Sequence, residues 1–371
     1  MFSNNLLKSE DGIFTEWRLR AYGSALIFLC LFFGWLLFKG HWPIEADGHA
    51  YCIDFNLFWL TGKLAAAGHA AQIFDFPAWA KIQEAFSGPL VPEGMPGCHN
   101  WQPFYYPPTY LFFTYPFGLV PYVGAFMAWI VVLFVLYQAA VYSIIPRSTA
   151  RIVATTPVFV IFTNVFTGQN GFISAGLIGL SLAFLERRPW VSGIFLGLLT
   201  YKPHFGILFP IALLASRNWR VLGSAAVTAI VFGVLATLAF GYDGWFSFLH
   251  GLTNRTPSMS VPNGKDLAVE SVYALMYWVS TTPWVAWSVQ LTVTAAVALR
   301  IWIVWASESV SFNLKAAALC VGTCLASPYV MPYDFAILTI SVASLSEKRC
   351  HADFYEENEW RFLYVGLCSS L

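Results

Sequence analysis

The chain has 371 residues, of which 58% are hydrophobic, 18% aromatic and only 11% charged, against about 25% charged in ordinary globular domains. Its 20 basic and 20 acidic residues leave no formal net charge, and Lys and Arg are scattered between apolar runs, unlike the clustered basic face of a nucleic-acid-binding domain. With a mean hydropathy of +0.61, the composition sets nucleic acid aside as a partner and reads as an all-α polytopic membrane protein.

A short segment, 1–20, precedes the first apolar run, 21–38. That run is long enough for a hydrocarbon core, which takes roughly 20 residues, and no small-residue cleavage site follows it. It is expected to be an uncleaved first helix.

The loop 39–114 comes next and contains Asp54-Phe-Asn-Leu-Phe-Trp-Leu-Thr-Gly-Lys63. Its segment 54–67 has Phe55, Phe58, Trp59 and Gly62 at i, i+3, i+4, i+7 and is expected to be helical. Segment 76–86 is expected to be a second helix, with Lys81, Gln83 and Glu84 opposite Phe76, Trp79 and Phe86. Such helices lie in the membrane interface. The Pro- and Gly-rich stretch 88–108 ends in Phe104-Tyr-Tyr-Pro-Pro108 and leads rigidly into the next crossing. The loop reads as a folded lid on the membrane surface.

Further apolar runs follow at 115–145, 152–167, 171–186, 190–201, 204–216, 221–241, 283–305, 314–327 and 333–346, giving about ten membrane segments in all. Several are too short for a clean span and meet in pairs at polar apices, Gly168-Gln169-Asn170 and Lys202-Pro203-His204. Short or broken helices are tolerated where protein or a water-filled cavity satisfies their ends. The tail 347–371 turns polar.

A cytoplasmic N-terminus with strict alternation gathers Arg147, Arg151, Arg187, Arg188, Arg217, Arg220, Lys315, Lys348 and Arg349 on the cytoplasmic side, the positive-inside pattern. The opposite face then receives the 39–114 loop, both apices, the 242–282 loop and the Pro328-Tyr329…Tyr333-Asp334 turn. The expected location is the bacterial inner membrane.

None of the seven cysteines falls in a metal-ligand spacing. Cys52 and Cys98 share the outer loop and can pair in an oxidising compartment, whereas Cys320 and Cys324 read as helix packing. The chain has no P-loop, GxGxxG, His-Glu-x-x-His or GxSxG.

The stretch 54–63, then Tyr105-Tyr-Pro-Pro108, Gly168-Gln-Asn170, Glu186-Arg-Arg188, Gly197-Leu-Leu-Thr-Tyr-Lys-Pro-His204 and Ser327-Pro-Tyr…Tyr333-Asp334, in that order, resemble glycosyltransferase family 87 over about residues 20 to 346. The resemblance implies a bundle of the GT-C membrane fold over 21–346. It implies an enzyme that takes a hexose, most often mannose, from a polyprenyl-phosphate carrier to a hydroxyl on a glycolipid or glycan acceptor at the outer face. No cofactor or metal enters that scheme. The family's acid in the first outer loop matches Asp54, the implied catalytic base. Where relatives carry further helices this chain turns polar, so a truncated, inactive copy is one expectation.

Transfer from a sugar phosphate leaves an anion that fixed cations must hold; Lys202, His204 and Arg255 are the candidates. Tyr106, Gln169, Asn170, Tyr333 and Asp334 are the candidates for binding substrate. Each has a plainer reading beside this one. Asp54 and Asp334 can be helix N-caps, Lys202 can snorkel to the interface, and His204 can pack. Gln169 and Asn170 can satisfy a broken backbone, Arg255 can be solvated, and interfacial aromatics are common everywhere. The rival class is a secondary transporter, whose polar site sits near mid-membrane. Here the polar residues gather at one face, and no inverted repeat links the halves.

Overall fold

A computed structural model describes residues 42–44, 48–90, 102, 104–145, 158–253 and 269–345, with six more between 24 and 35. Every element among them is helical, apart from one isolated antiparallel bridge between Ile44 and Ala50. Of the first apolar run, the described residues Ser24, Phe28, Leu31, Phe32, Gly34 and Trp35 are helical.

Within the 39–114 loop the expected first helix forms as α1 (Phe55–Ala66), whose Phe55, Phe58, Trp59 and Gly62 are all buried. A 3-10 turn, Ala70–Ile73, leads to α2 (Phe76–Ser87). Here one expectation is corrected. Gln83 is buried and donates from Nε2 to the Gln102 carbonyl at 3.2 Å, beside Trp79, while Phe76 is exposed. Residues 79 and 83 are one helical turn apart and must share a face; a polar residue with a backbone partner was counted to the wrong side.

The apolar run 115–145 is two helices, α3 (Leu111–Gly118) and α4 (Tyr122–Ile144). Pro121 divides them, since it offers no N–H to a continuing helix and its fixed φ suits a helix start. Then come α5 (Val158–Thr167), α6 (Gly171–Phe184), α7 (Pro189–Tyr201), α8 (Pro203–Ala215) and α9 (Trp219–Phe240). α10 (Asp243–Thr253) and α11 (Val272–Ser280) lie within the expected 242–282 loop. α12 (Pro283–Ala306), α13 (Phe312–Ala326) and α14 (Pro332–Leu345) complete the described chain.

Three of these, α4, α9 and α12, are long and apolar enough to cross a membrane; α6, α7, α8, α13 and α14 are apolar but shorter. At 1.5 Å per residue, the 14 residues of α6 span about 21 Å. That is short of the ~30 Å hydrocarbon core, so the ends of such helices must be satisfied within the protein.

α6 and α7 run antiparallel, with Ser181 beside Ser192 and Ser174 beside Tyr201, and this pairing decides what meets where. α6 starts at the Gln169-Asn170 apex and ends beside Arg187 and Arg188; α7 starts there and returns to Lys202. α7 lies flush on α9 through Gly193 and Gly197, where a Cβ would strike the Val221 and Ala225 carbonyls; small residues four apart permit such close backbone approach. α13 carries Lys315 in its first turn and ends at Ala326, next to the turn that opens α14. The Gln169, Lys202 and Asp334 apices therefore share one end of the bundle, and Arg187, Arg188 and Lys315 lie at the far ends of the same helices.

Candidate active site

The site begins with a residue that declines its usual local role. Asp54 occupies the N-cap position of α1, yet its side chain makes no capping hydrogen bond. The carboxylate instead accepts from the Gln169 side chain and lies within electrostatic reach of Lys202. The Gln169 amide is oriented for this, because its Oε1 accepts the Asn170 backbone N–H at 3.3 Å and leaves the NH2 for Asp54. Burial among the rings of this region pushes the Asp54 carboxyl above the usual carboxylate range, with Gln169 and Lys202 pulling it back.

The turn that carries Gln169 is pinned. Gly168 has φ 65°, the left-handed region that favours glycine. Its carbonyl accepts from Trp129 Nε1 at 2.8 Å. A Cβ there would lie 2.6 Å from Phe55 Cβ, so the turn rests directly on the start of α1.

Asn170 is wholly buried at the N-cap of α6, and it too makes no capping bond. Its Nδ2 donates to the hydroxyls of Tyr106 at 2.8 Å and Tyr110 at 2.9 Å, while its Oδ1 has no hydrogen-bond partner among the described residues. The two rings stack at 4.2 Å between centroids, and Tyr110 stacks in turn on Tyr201 at 5.3 Å. The Tyr201 hydroxyl pairs with Ser174 Oγ at 2.7 Å. Tyr106 is the member of this three-ring stack that keeps part of its surface open; Tyr110 and Tyr201 are fully covered.

Lys202 and Asp334 close the site from the other two apices. Lys202 Nζ donates to Asp334 Oδ1 at 2.7 Å, and the two side chains are 5% and 1% exposed. The ammonium also lies 4.9 Å from the Tyr333 ring centre and 5.4 Å from that of Phe205, close enough for cation–π attraction. Asp334 is not an N-cap, the plainer reading of its sequence position. It is the third residue of the 3-10 turn Pro332–Phe335, where its Oδ2 accepts the Met331 N–H at 3.2 Å. The Tyr333 carbonyl accepts from Asn164 Nδ2 at 2.9 Å, tying this turn to α5.

Seven candidates from the sequence thus meet in one place: Asp54, Tyr106, Gln169, Asn170, Lys202, Tyr333 and Asp334. His204 is a partly buried neighbour, its ring 4.3 Å from Phe205 and 6.5 Å from Tyr329. Arg255 lies outside the described residues, as does Cys98; Cys52 is disulfide-bonded, whereas Cys320 and Cys324 are free and buried. Tyr110, Tyr201 and Ser174 escaped sequence reading. Among the described residues no three His, Cys, Asp or Glu gather as metal ligands would.

A partly buried carboxylate can take a proton, and a buried ammonium within electrostatic reach of it can face an anion. A sequence model of glycosyltransferase family 87 matches residues 104–328, more than half of the chain. The chain belongs to glycosyltransferase family 87. The matched span of this membrane glycosyltransferase contains Tyr106, Gln169, Asn170 and Lys202; Asp54 precedes it and Asp334 follows it. No curated protein and no solved structure matches the chain.

Proposed function

We propose that this glycosyltransferase moves a hexose, mannose in the first instance, from a polyprenyl-phosphate carrier to a hydroxyl of a glycolipid or glycan. The acceptor oxygen attacks the anomeric carbon as the bond to the carrier phosphate breaks. The phosphate leaves with the bonding electrons, the acceptor proton passes to Asp54, and direct displacement inverts the anomeric centre. General base assistance of this kind contributes roughly 10²–10⁴ in rate. Lys202 meets the charge that develops on the phosphate, with His204 beside it and Arg255 as a further candidate. Tyr106, Gln169, Asn170, Tyr333 and Asp334 surround the reacting groups. The reaction takes place on the extracytoplasmic face of a bacterial inner membrane, with the N-terminus cytoplasmic.

The observation that most supports this reading is the Asp54 carboxylate. It sits at a helix N-cap, makes no cap bond, and is held by Gln169 on the side of Lys202. An acid with only a structural job at that position would cap its own helix.

The test is transfer of radiolabelled sugar from polyprenyl-phosphate-mannose by purified, reconstituted protein, wild type against Asp54→Asn. The expected result is transfer by wild type and a loss of at least a hundredfold in the variant, with an unchanged melting curve. Retention of transfer within a few-fold by Asp54→Asn removes Asp54 as the base. Failure of wild type with every polyprenyl-phosphate sugar leaves a transporter or an inactive relative as the better account.

A further inference from the structure

Counted over the described residues alone, the charges at the site do not balance for a donor that is itself an anion. Among the described residues, two carboxylates, Asp54 and Asp334, share one ammonium, Lys202. A polyprenyl-phosphate sugar is a phosphodiester and brings a third negative charge into a place with little water to screen it. Lys202 can face that phosphate only by giving up part of its hold on Asp334.

The geometry makes such an exchange possible on one side and not on the other. Asp334 is anchored, because its second oxygen accepts the Met331 backbone N–H at 3.2 Å and its turn is tied to α5 through Asn164. Lys202 is the adaptable partner: a four-carbon stem ends in an ammonium that already has the Tyr333 and Phe205 rings beside it, at 4.9 Å and 5.4 Å. Moving between anions across aromatic faces, it is never without an attractive neighbour.

We propose that Asp334 is a resident counter-anion: it holds Lys202 in the empty site and competes with the carrier phosphate for the same ammonium. This deepens, and rests on, the reading of the site as one that takes a polyprenyl-phosphate sugar. Asp334 thereby weakens donor binding. It also favours departure of the spent carrier, whose phosphate monoester carries more charge than the donor and would otherwise hold Lys202 more tightly. Asp334 is a positioning residue, acting on substrate through Lys202.

The experiment measures binding of polyprenyl-phosphate-mannose and of polyprenyl phosphate to the purified full chain. Competition predicts that Asp334→Asn binds both about tenfold more tightly than wild type, the spent carrier gaining more, and that product inhibition grows accordingly. A weaker donor affinity in Asp334→Asn would mean that Asp334 presents Lys202 to the phosphate as a strut, and would overturn the proposal. If Asp334→Asn does not fold, Lys202→Gln is compared with Lys202→Gln/Asp334→Asn at alkaline pH. With no ammonium left to compete for, competition through Lys202 predicts equal affinities; a double variant that binds the donor more tightly than the single one would mean that Asp334 repels the phosphate directly, and would overturn the proposal. Wild type that binds no polyprenyl-phosphate species defeats the underlying reading itself, an outcome distinct from wild-type binding with no gain in Asp334→Asn.

Discussion

The Lys202 ammonium lies 2.7 Å from Asp334 Oδ1, joining two apices 132 positions apart with both side chains buried. Removing one member of such a pair strands the other, which costs about 3–5 kcal/mol, whereas replacing both with apolar residues is often neutral. Lys202→Met and Asp334→Leu are each expected to lower stability by that amount, and the double variant to regain most of it. Thermal unfolding in detergent, run as a double-mutant cycle, measures the coupling. Additive losses in the double variant would mean the two side chains do not depend on each other.

On the proposed mechanism, Asp54 governs the pH response. As a base it must be ionised, and burial raises its pKa, so transfer declines as pH falls through a value above the ordinary ~3.9. The Gln169 hydrogen bond lowers that pKa; Gln169→Leu is expected to move the acid limb of kcat/KM to higher pH. The stability contribution has the opposite slope. A carboxyl whose folded pKa lies above its unfolded one favours the fold when protonated, so stability from Asp54 declines as pH rises from the unfolded value to the folded one. An acid limb unmoved by Gln169→Leu would exclude Asp54 as the titrating base.

Asn170 holds two tyrosine hydroxyls at once. Asn170→Leu strands both, and each buried hydroxyl left without its partner costs about 1–3 kcal/mol. Adding Tyr106→Phe and Tyr110→Phe to that variant removes the stranded groups and is expected to restore part of the stability. Melting curves of the single and triple variants test this, and transfer is expected to stay low in both because the turn at 169–170 has lost its anchor.

Gly168 carries no side chain chemistry, yet Gly168→Ala is expected to impair transfer strongly. A left-handed residue other than glycine costs about 1–3 kcal/mol, and the added carbon would overlap Phe55. Relief requires the 168–170 turn to move off α1, taking Gln169 away from Asp54. The expected signature is a fall in kcat larger than the rise in donor KM, with the acid limb displaced as in Gln169→Leu.

Sequence made the helical membrane architecture legible, because apolar runs broken at Gly168-Gln169-Asn170 and Lys202-Pro203-His204 mark ends that only protein can satisfy. Seven of the site candidates could be named for the same reason: polar residues are costly beside a membrane and stand out there. Their pairings could not be read. Lys202 with Asp334 and Asn170 with Tyr106 and Tyr110 are contacts across 132, 64 and 60 positions, and no local periodicity encodes them. Tyr201 and Ser174 were invisible because an aromatic or a serine in an apolar helix is unexceptional. α10 and α11 were missed since 11 and 9 residues are too few for a span signal, and Gln83 was misplaced because a buried amide with a backbone acceptor looks like a surface residue until the acceptor is known.

The distance along the chain between Lys202 and Asp334 has a consequence during synthesis. At 5–20 residues per second, the 132 positions between them take roughly 7–26 s to translate. Through that interval the nascent segment bears an ammonium whose partner in the finished site has not been made. The last described helix therefore completes the electrostatics of a site whose other pieces were made long before, and a chain stopped short of Asp334 leaves Lys202 with the more distant Asp54 as its one counter-charge among the described residues.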